Sequence, residues 1–271
     1  MSGGGSGGGS GGGSGGGSGG GSGGGSGYNN TALPPHPFSI DKPLTSIHPN
    51  QLNYGARFPL AAWRADFFAK LVLVEFGQTD WLDIEDDVKG PPQDDKRVFR
   101  EIEQLAGPDM DLRRERSDEI LDQDASPVPY FAQLLMLSQF AHPNTIKVLE
   151  IADAVGLVVA MHFKRKFMRG RPQQVCPALV PLIPSPLHPS YPSGHSLESH
   201  LIARALASVV PSATDALEAL AKRIASNREI AGVHFRSDSD AGRHIALLVF
   251  PYLMDCRTFR DVLATAQREH A

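Results

Sequence analysis

Three short stretches of the chain carry side chains that can act together on an anion. They are Lys164 with Arg171-Pro172, then Pro192-Ser193-Gly194-His195, then Arg228 with His234 and Asp238. Lysine and two arginines can neutralise a tetrahedral oxyanion. Ser193 can cap a helix whose first-turn N–H groups then face that anion, and Gly194 lets a ligand approach the backbone closely. His195 follows in the first turn. Asp238 lies four residues after His234; on local helical geometry it reaches one ring nitrogen, sets the tautomer and leaves the other nitrogen to attack. Three neighbouring cations repel a divalent metal, so a metal reading of the two histidines ranks below an anion reading.

The elements that must place these groups read as helices. Residues 1–27 are Met followed by Gly-Gly-Gly-Ser repeats, an engineered flexible linker expected to be disordered and excluded from fold reasoning. It holds 19 of the 28 glycines, so the remainder is poor in glycine and a turn-rich β fold is disfavoured. Residues 28–271 read as one all-α domain, with a Pro- and Asn-rich extended arm at 28–56. A first helix is predicted over Phe58–Phe76. The charged stretch from Asp80 to Asp124 is broken by Gly90-Pro91-Pro92 and Gly107-Pro108; one or two short helices are expected there, with their charges in water. Further helices are predicted over Tyr130–Phe140, from about Asn144 to Met168, His195–Val209, Ser212–Ala231, Ser239–Pro251 and Arg257–His270. Arg171-Pro172 should end the long one. Lys164 and Arg171, seven apart, would share one helix face near that end. Seven prolines between 172 and 192 predict an irregular loop.

Composition narrows the classes. The formal net charge is −4, which gives no general nucleic-acid surface. The longest apolar runs, Ile151–Met161 and Ile245–Met254, are too short to span a bilayer. A soluble protein is expected, in periplasm or cytoplasm. Cys176 and Cys256 could pair or stay free. No CxxC, HExxH or Gly-x-Ser-x-Gly pattern occurs, which disfavours structural zinc and a serine hydrolase.

The spacing resembles the type 2 phosphatidic acid phosphatase and vanadium haloperoxidase superfamily, and its soluble bacterial members in particular. That signature is Lys, six residues, Arg-Pro; Pro-Ser-Gly-His; and Ser-Arg, five residues, His, three residues, Asp. Lys164 to Pro172, Pro192 to His195, and Arg228 through His234 to Asp238 match it, and Asn227 replaces the serine before Arg228. The resemblance covers about residues 160–245 and implies a helical bundle. It implies that Lys164, Arg171 and Arg228 grip phosphate oxygens with help from Ser193 and the Gly194 amide. His234 would be the nucleophile and form a phosphohistidine, Asp238 would orient it, and His195 would protonate the leaving oxygen and then activate water. Such a phosphatase needs no metal and no cofactor.

The same resemblance leaves a second activity open. Haloperoxidases of the superfamily hold vanadate through the residue matching His234 and oxidise halide with hydrogen peroxide. His188-Pro189-Ser190-Tyr191 is similar to bromoperoxidases, which makes His188 a candidate halide or peroxide residue. Met161 departs from the tryptophan of chloroperoxidases. The Ser237–Arg243 stretch is similar to bacterial acid phosphatases, and a phosphomonoesterase is the favoured expectation. A non-catalytic oxyanion-binding protein ranks last, because both histidines are present. The expected partners are a small phosphorylated substrate, or halide and peroxide. Homo-oligomers remain compatible with the sequence, and the 173–191 loop, the arm and the acidic stretch are expected to wall the pocket.

Overall fold

A computed structural model describes residues 52–59, 62–107 and 110–271. The linker and most of the proposed arm lie outside the described residues. Among those described there are ten α-helices and no strand: α1 Ala65–Phe76, α2 Asp95–Ala106, α3 Met110–Gln123, α4 Val128–Leu134, α5 Pro143–Phe167, α6 Pro172–Val175, α7 Gly194–Val209, α8 Thr214–Ile230, α9 Arg236–Asp255 and α10 Arg257–Arg268. The all-α expectation holds. None of these helices is long and apolar enough to cross a membrane.

Helix α5 is the central post. Val148, Ile151, Ala152, Val155, Val159 and Phe163 recur along it at helical spacing and are fully buried. Each large apolar side chain so buried contributes roughly 1.5–3 kcal/mol. Helices α1, α7 and α10 pack around it, and α7 in turn packs on α8 and α9. Small residues allow close crossings. A Cβ on Gly156 of α5 would stand 3.0 Å from the Cα of Glu198 on α7. One on Gly242 of α9 would stand 2.7 Å from Ser193 O and 2.9 Å from Leu197 N, so the start of α7 rests directly on α9. The first turn of α5 is capped from the far end of the chain. Glu269 accepts from Asn144 N at 2.8 Å and Thr145 N at 2.9 Å, satisfying donors that a helix start leaves open.

Several boundaries differ from the sequence reading. The first helix starts at Ala65, not Phe58, and α4 stops at Leu134. The loop after Arg171 carries the short α6. Helix α9 begins at Arg236 and runs through Pro251 to Asp255. Pro251 is exposed, so its missing N–H falls on the wet side while Val249 and Leu253 hold the helix to the core. Helix α5 ends at Phe167 because Met168 adopts a left-handed conformation, with φ 49°. Lys164 is therefore in the last turn, and Arg171 lies beyond the helix in extended backbone before Pro172. The shared helix face expected for Lys164 and Arg171 does not exist; a chain reversal brings them together. Both cysteines are free thiols.

Candidate active site

The chain reversal after α5, the start of α7 and the start of α9 meet at one place. Lys164, Arg171, Ser193, Arg228, His234 and Asp238 are all buried there, each with at most 3% of its surface exposed. Ser193 is the N-cap of α7, and its Oγ accepts from Ser196 N at 3.4 Å. Its own N–H donates to Asp238 O at 2.9 Å, which ties the second and third motifs to each other. Gly194 is the first residue of α7, and a Cβ there would lie 3.5 Å from Glu198 Oε1 and 3.9 Å from Lys164 Cε.

His234 sits just outside α9, and Asp238 is in that helix's first turn. The pair therefore meets across a helix cap, not along a helix face. Asp238 Oδ2 lies 3.1 Å from His234 Nδ1 and accepts Phe235 N at 3.0 Å. On the other side of the ring, Arg171 Nη1 donates to His234 Nε2 at 3.0 Å and to Val233 O at 2.8 Å. A carboxylate on Nδ1 and an N–H donor at Nε2 select one tautomer: the proton is on Nδ1 and the lone pair on Nε2. Burial, then the cations Arg171, Lys164 and Arg228, hold the His234 pKa well below its ordinary value. The ring is neutral, and the charges acting on it come from the first and third motifs.

The cations are held by backbone oxygens. Lys164 Nζ donates to Pro189 O at 2.8 Å, Ser190 O at 3.1 Å and Pro192 O at 2.5 Å. Burial and Arg171 push this lysine down to about 7. Three carbonyl acceptors match the three hydrogens of an ammonium group, which favours the charged form. Arg228 donates to Ile120 O at 2.7 Å and to Asp124 Oδ1 at 3.1 Å, while its buried Nε has no partner. Arg171 also donates from Nη2 to His188 Nδ1 at 3.0 Å, so His188 stands beside the cluster. Burial, with Lys164 and Arg171, pushes His188 down to about 4. His195 Nε2 donates to Gln123 O at 2.9 Å, leaving Nδ1 as the basic nitrogen of its neutral ring. Burial and Arg228 push its pKa down to about 3.

Some partners escaped the sequence reading. The acidic stretch is not only a wet surface. Its residues Ile120, Gln123 and Asp124 hold Arg228 and His195. Asn227, the departure from the family pattern, is fully buried. It donates to Glu119 Oε1 and Gln123 Oε1, each at 2.9 Å, and so pins α3 to α8. Arg169, Glu101 and Ser190 were also missed. Arg169 Nη1 donates to Asp238 Oδ1 at 2.6 Å and Nη2 to Glu101 Oε2 at 2.8 Å, and Ser190 Oγ donates to Asp238 Oδ2. The available signal was Arg169's place two residues before Arg171, which does not reveal its partners.

A helical bundle thus gathers three cations, a helix N-terminus and a carboxylate-oriented histidine in one buried place. No family model matches the chain. It is 35% identical over 80 residues to a non-specific acid phosphatase of Salmonella typhi, covering 30% of this chain and 32% of that protein. It is 34% identical over 80 residues to a non-specific acid phosphatase of Salmonella typhimurium, with the same coverage. The match thus spans about a third of the length of these curated relatives. The fold is similar to that of a bacterial vanadium-dependent iodoperoxidase, with a TM-score of 0.51 and 15% identity, covering 61% of this chain and 52% of that one. Over that third the chain is similar to acid phosphatases, and its fold is similar to that of a vanadium-dependent iodoperoxidase, in line with the resemblance carried by the motif spacing.

Proposed function

We propose that the protein is a phosphomonoester hydrolase that works through a phosphohistidine on His234. The observation that carries this reading is the setting of that ring, with Asp238 at Nδ1 and the cationic cluster at Nε2. A phosphate dianion gripped by Lys164, Arg171, Arg228, Ser193 and the first amides of α7 would draw the Arg171 N–H away from Nε2. The freed lone pair attacks phosphorus, and the bond to the leaving oxygen breaks. His195, protonated once the dianion offsets the neighbouring cations, delivers its proton to that oxygen. It then takes a proton from water as water cleaves the phosphorus–nitrogen bond. One preorganised donor of this kind lowers such a barrier by roughly 3 kcal/mol.

The test is p-nitrophenyl phosphate hydrolysis, with trapping of an acid-labile, base-stable phosphoprotein. His234→Ala should abolish both signals while tungstate still binds. Unchanged hydrolysis in that variant removes the proposed nucleophile.

A haloperoxidase reading rests on His188, which Arg171 holds beside the cluster. The residues also fit vanadate. The buried Nε of Arg228 has no partner, and His234 Nε2 would be the ligand nitrogen, with Lys164, Arg171 and Arg228 around the oxygens. Bound vanadate would supply Lewis-acid activation of peroxide. Bromide and iodide oxidation by peroxide, with and without vanadate on the same preparation, separates the two activities.

A further inference from the structure

Among the buried cations around Asp238, Arg169 is placed differently from Lys164, Arg171 and Arg228. Both of its terminal nitrogens are engaged by side chains: Nη1 by Asp238 Oδ1 at 2.6 Å and Ser237 Oγ at 2.7 Å, Nη2 by Glu101 Oε2 at 2.8 Å. The guanidinium lies over the Phe235 ring, 3.8 Å from its centroid. Two carboxylates more than offset its charge, so it offers an incoming anion little attraction. It is nevertheless one hydrogen bond away from the carboxylate that touches His234.

The geometry reaches both oxygens of Asp238. Oδ2 takes His234 Nδ1, Phe235 N and the Ser190 hydroxyl. Oδ1 is held by Arg169. The Arg169 carbonyl in turn accepts Ser190 N at 2.9 Å, so this one residue positions donors at each oxygen. An aspartate carboxylate rotates easily about its last torsion. Pinning Oδ1 stops the rotation that would carry Oδ2 away from the histidine. Glu101 anchors the clamp. Its Oε1 accepts Ser237 N at 2.9 Å in the first turn of α9, where a carboxylate is favoured by the helix dipole. Arg169 and Glu101 side chains are each only 8% exposed. Buried ion pairs add little net stability, and fixing geometry is a better account of their presence.

We propose that Arg169, clamped by Glu101 of α2, is a positioning residue that sets the angle of His234 through Asp238. This rests on the phosphatase reading of the site. It predicts that a change on α2, outside the anion cluster, alters turnover without altering the grip on the anion.

The test compares Arg169→Gln, Arg169→Lys and Glu101→Gln with the unaltered chain in three measurements. These are kcat and KM for p-nitrophenyl phosphate, tungstate affinity, and the proton NMR signal of His234 Nδ1–H in ligand-free protein, assigned by its loss in His234→Ala. Arg169→Gln should lower kcat by about 10- to 100-fold, the scale of a small misplacement of reacting groups. KM and tungstate affinity should stay within about 3-fold, as expected when only transition-state alignment is lost. The Nδ1–H signal should move upfield or broaden. Arg169→Lys should recover most of kcat, and Glu101→Gln should shift the signal the same way with a smaller loss. A rise in KM at constant kcat overturns the proposal, because Arg169 would then be gripping substrate. An unmoved Nδ1–H signal in folded Arg169→Gln also overturns it; if that variant does not fold, the signal in Glu101→Gln decides. Absence of hydrolysis by the unaltered chain would instead refute the phosphatase reading, and the NMR comparison would still decide the role of Arg169.

Discussion

Binding of an oxyanion should draw a proton into this protein. In the ligand-free site His195 is pushed down to about 3 by burial and Arg228, so it is neutral near pH 6. Yet a general acid must carry a proton. The perturbation is addition of tungstate, a dianion throughout the working range. A proton donor lies within about 4 Å of the anion it serves. One negative charge at that distance, with an effective dielectric of about 20, contributes about 4 kcal/mol, which raises a pKa by about three. Counting only one of the two charges as unscreened, His195 moves from about 3 to about 6. Near pH 6 it takes up about half a proton, and a like shift of His188 from about 4 brings the sum to between about one and one and a half. Lys164, at about 7, is already charged there, and Glu198, pushed up to about 8 by burial and Asp153, is already protonated. Calorimetric titration in buffers of different ionisation enthalpy reads the proton count directly. Tungstate affinity should fall as pH rises from about 4 to about 7, and His195→Asn should remove about half a proton from the count. A proton count of zero in the unaltered chain would mean that no depressed histidine faces the bound anion, and the assignment of His195 as acid would fail.

Other expectations follow from the same geometry. Gly242→Ala places a methyl group 2.7 Å from Ser193 O, a backbone atom with little freedom to yield. Overpacking of this kind costs about 1–3 kcal/mol, so Tm should drop by roughly 3–10 °C, with weaker tungstate binding because the α7 start is displaced; an unchanged Tm would deny the contact. His195 and His234 have folded pKa values below their ordinary range, so the unfolded chain binds more protons in acid. Their contribution to stability is complete above about pH 6.5 and declines as pH falls towards 3. Thermal melts should show that decline, and tungstate should reduce it. Asn227→Ala removes the two hydrogen bonds that it donates to α3, one of them to the fully buried Gln123. It should cost about 1–3 kcal/mol in denaturant titrations and raise KM, because α3 carries the carbonyls that hold His195 and Arg228.

How much could be read in advance follows from the physics of each residue. The scarcity of glycine outside the leading repeat excludes a turn-rich fold, and helices follow from apolar spacing. Ser193-Gly194-His195 announces a helix start because capping is local. By contrast, the end of α5 depends on the left-handed turn at Met168, a conformation no side chain there advertises. Without that turn, Lys164 and Arg171 look like neighbours on one helix. Charged residues from Asp80 to Asp124 look alike in sequence. Whether Glu101 meets water or Arg169 is decided by tertiary packing, which spacing within α2 does not encode. Likewise, the His234–Asp238 interval suits a helix face equally well, and only the position of the α9 cap turns it into a contact across a boundary.

That boundary makes the setting of the proposed nucleophile as durable as one turn of helix. Unwinding Arg236 to Ser239 would carry Asp238 away from the imidazole while the apolar interior of the bundle stayed intact. A helix end opens at lower cost than the whole fold, although here it must also break the contacts of Arg169, Ser190 and Ser193 to Asp238. Heat should therefore silence the protein some degrees before circular dichroism records its melting. Amide exchange at the head of α9 should report that loss of activity, whereas exchange in the middle of α5 should report only global unfolding.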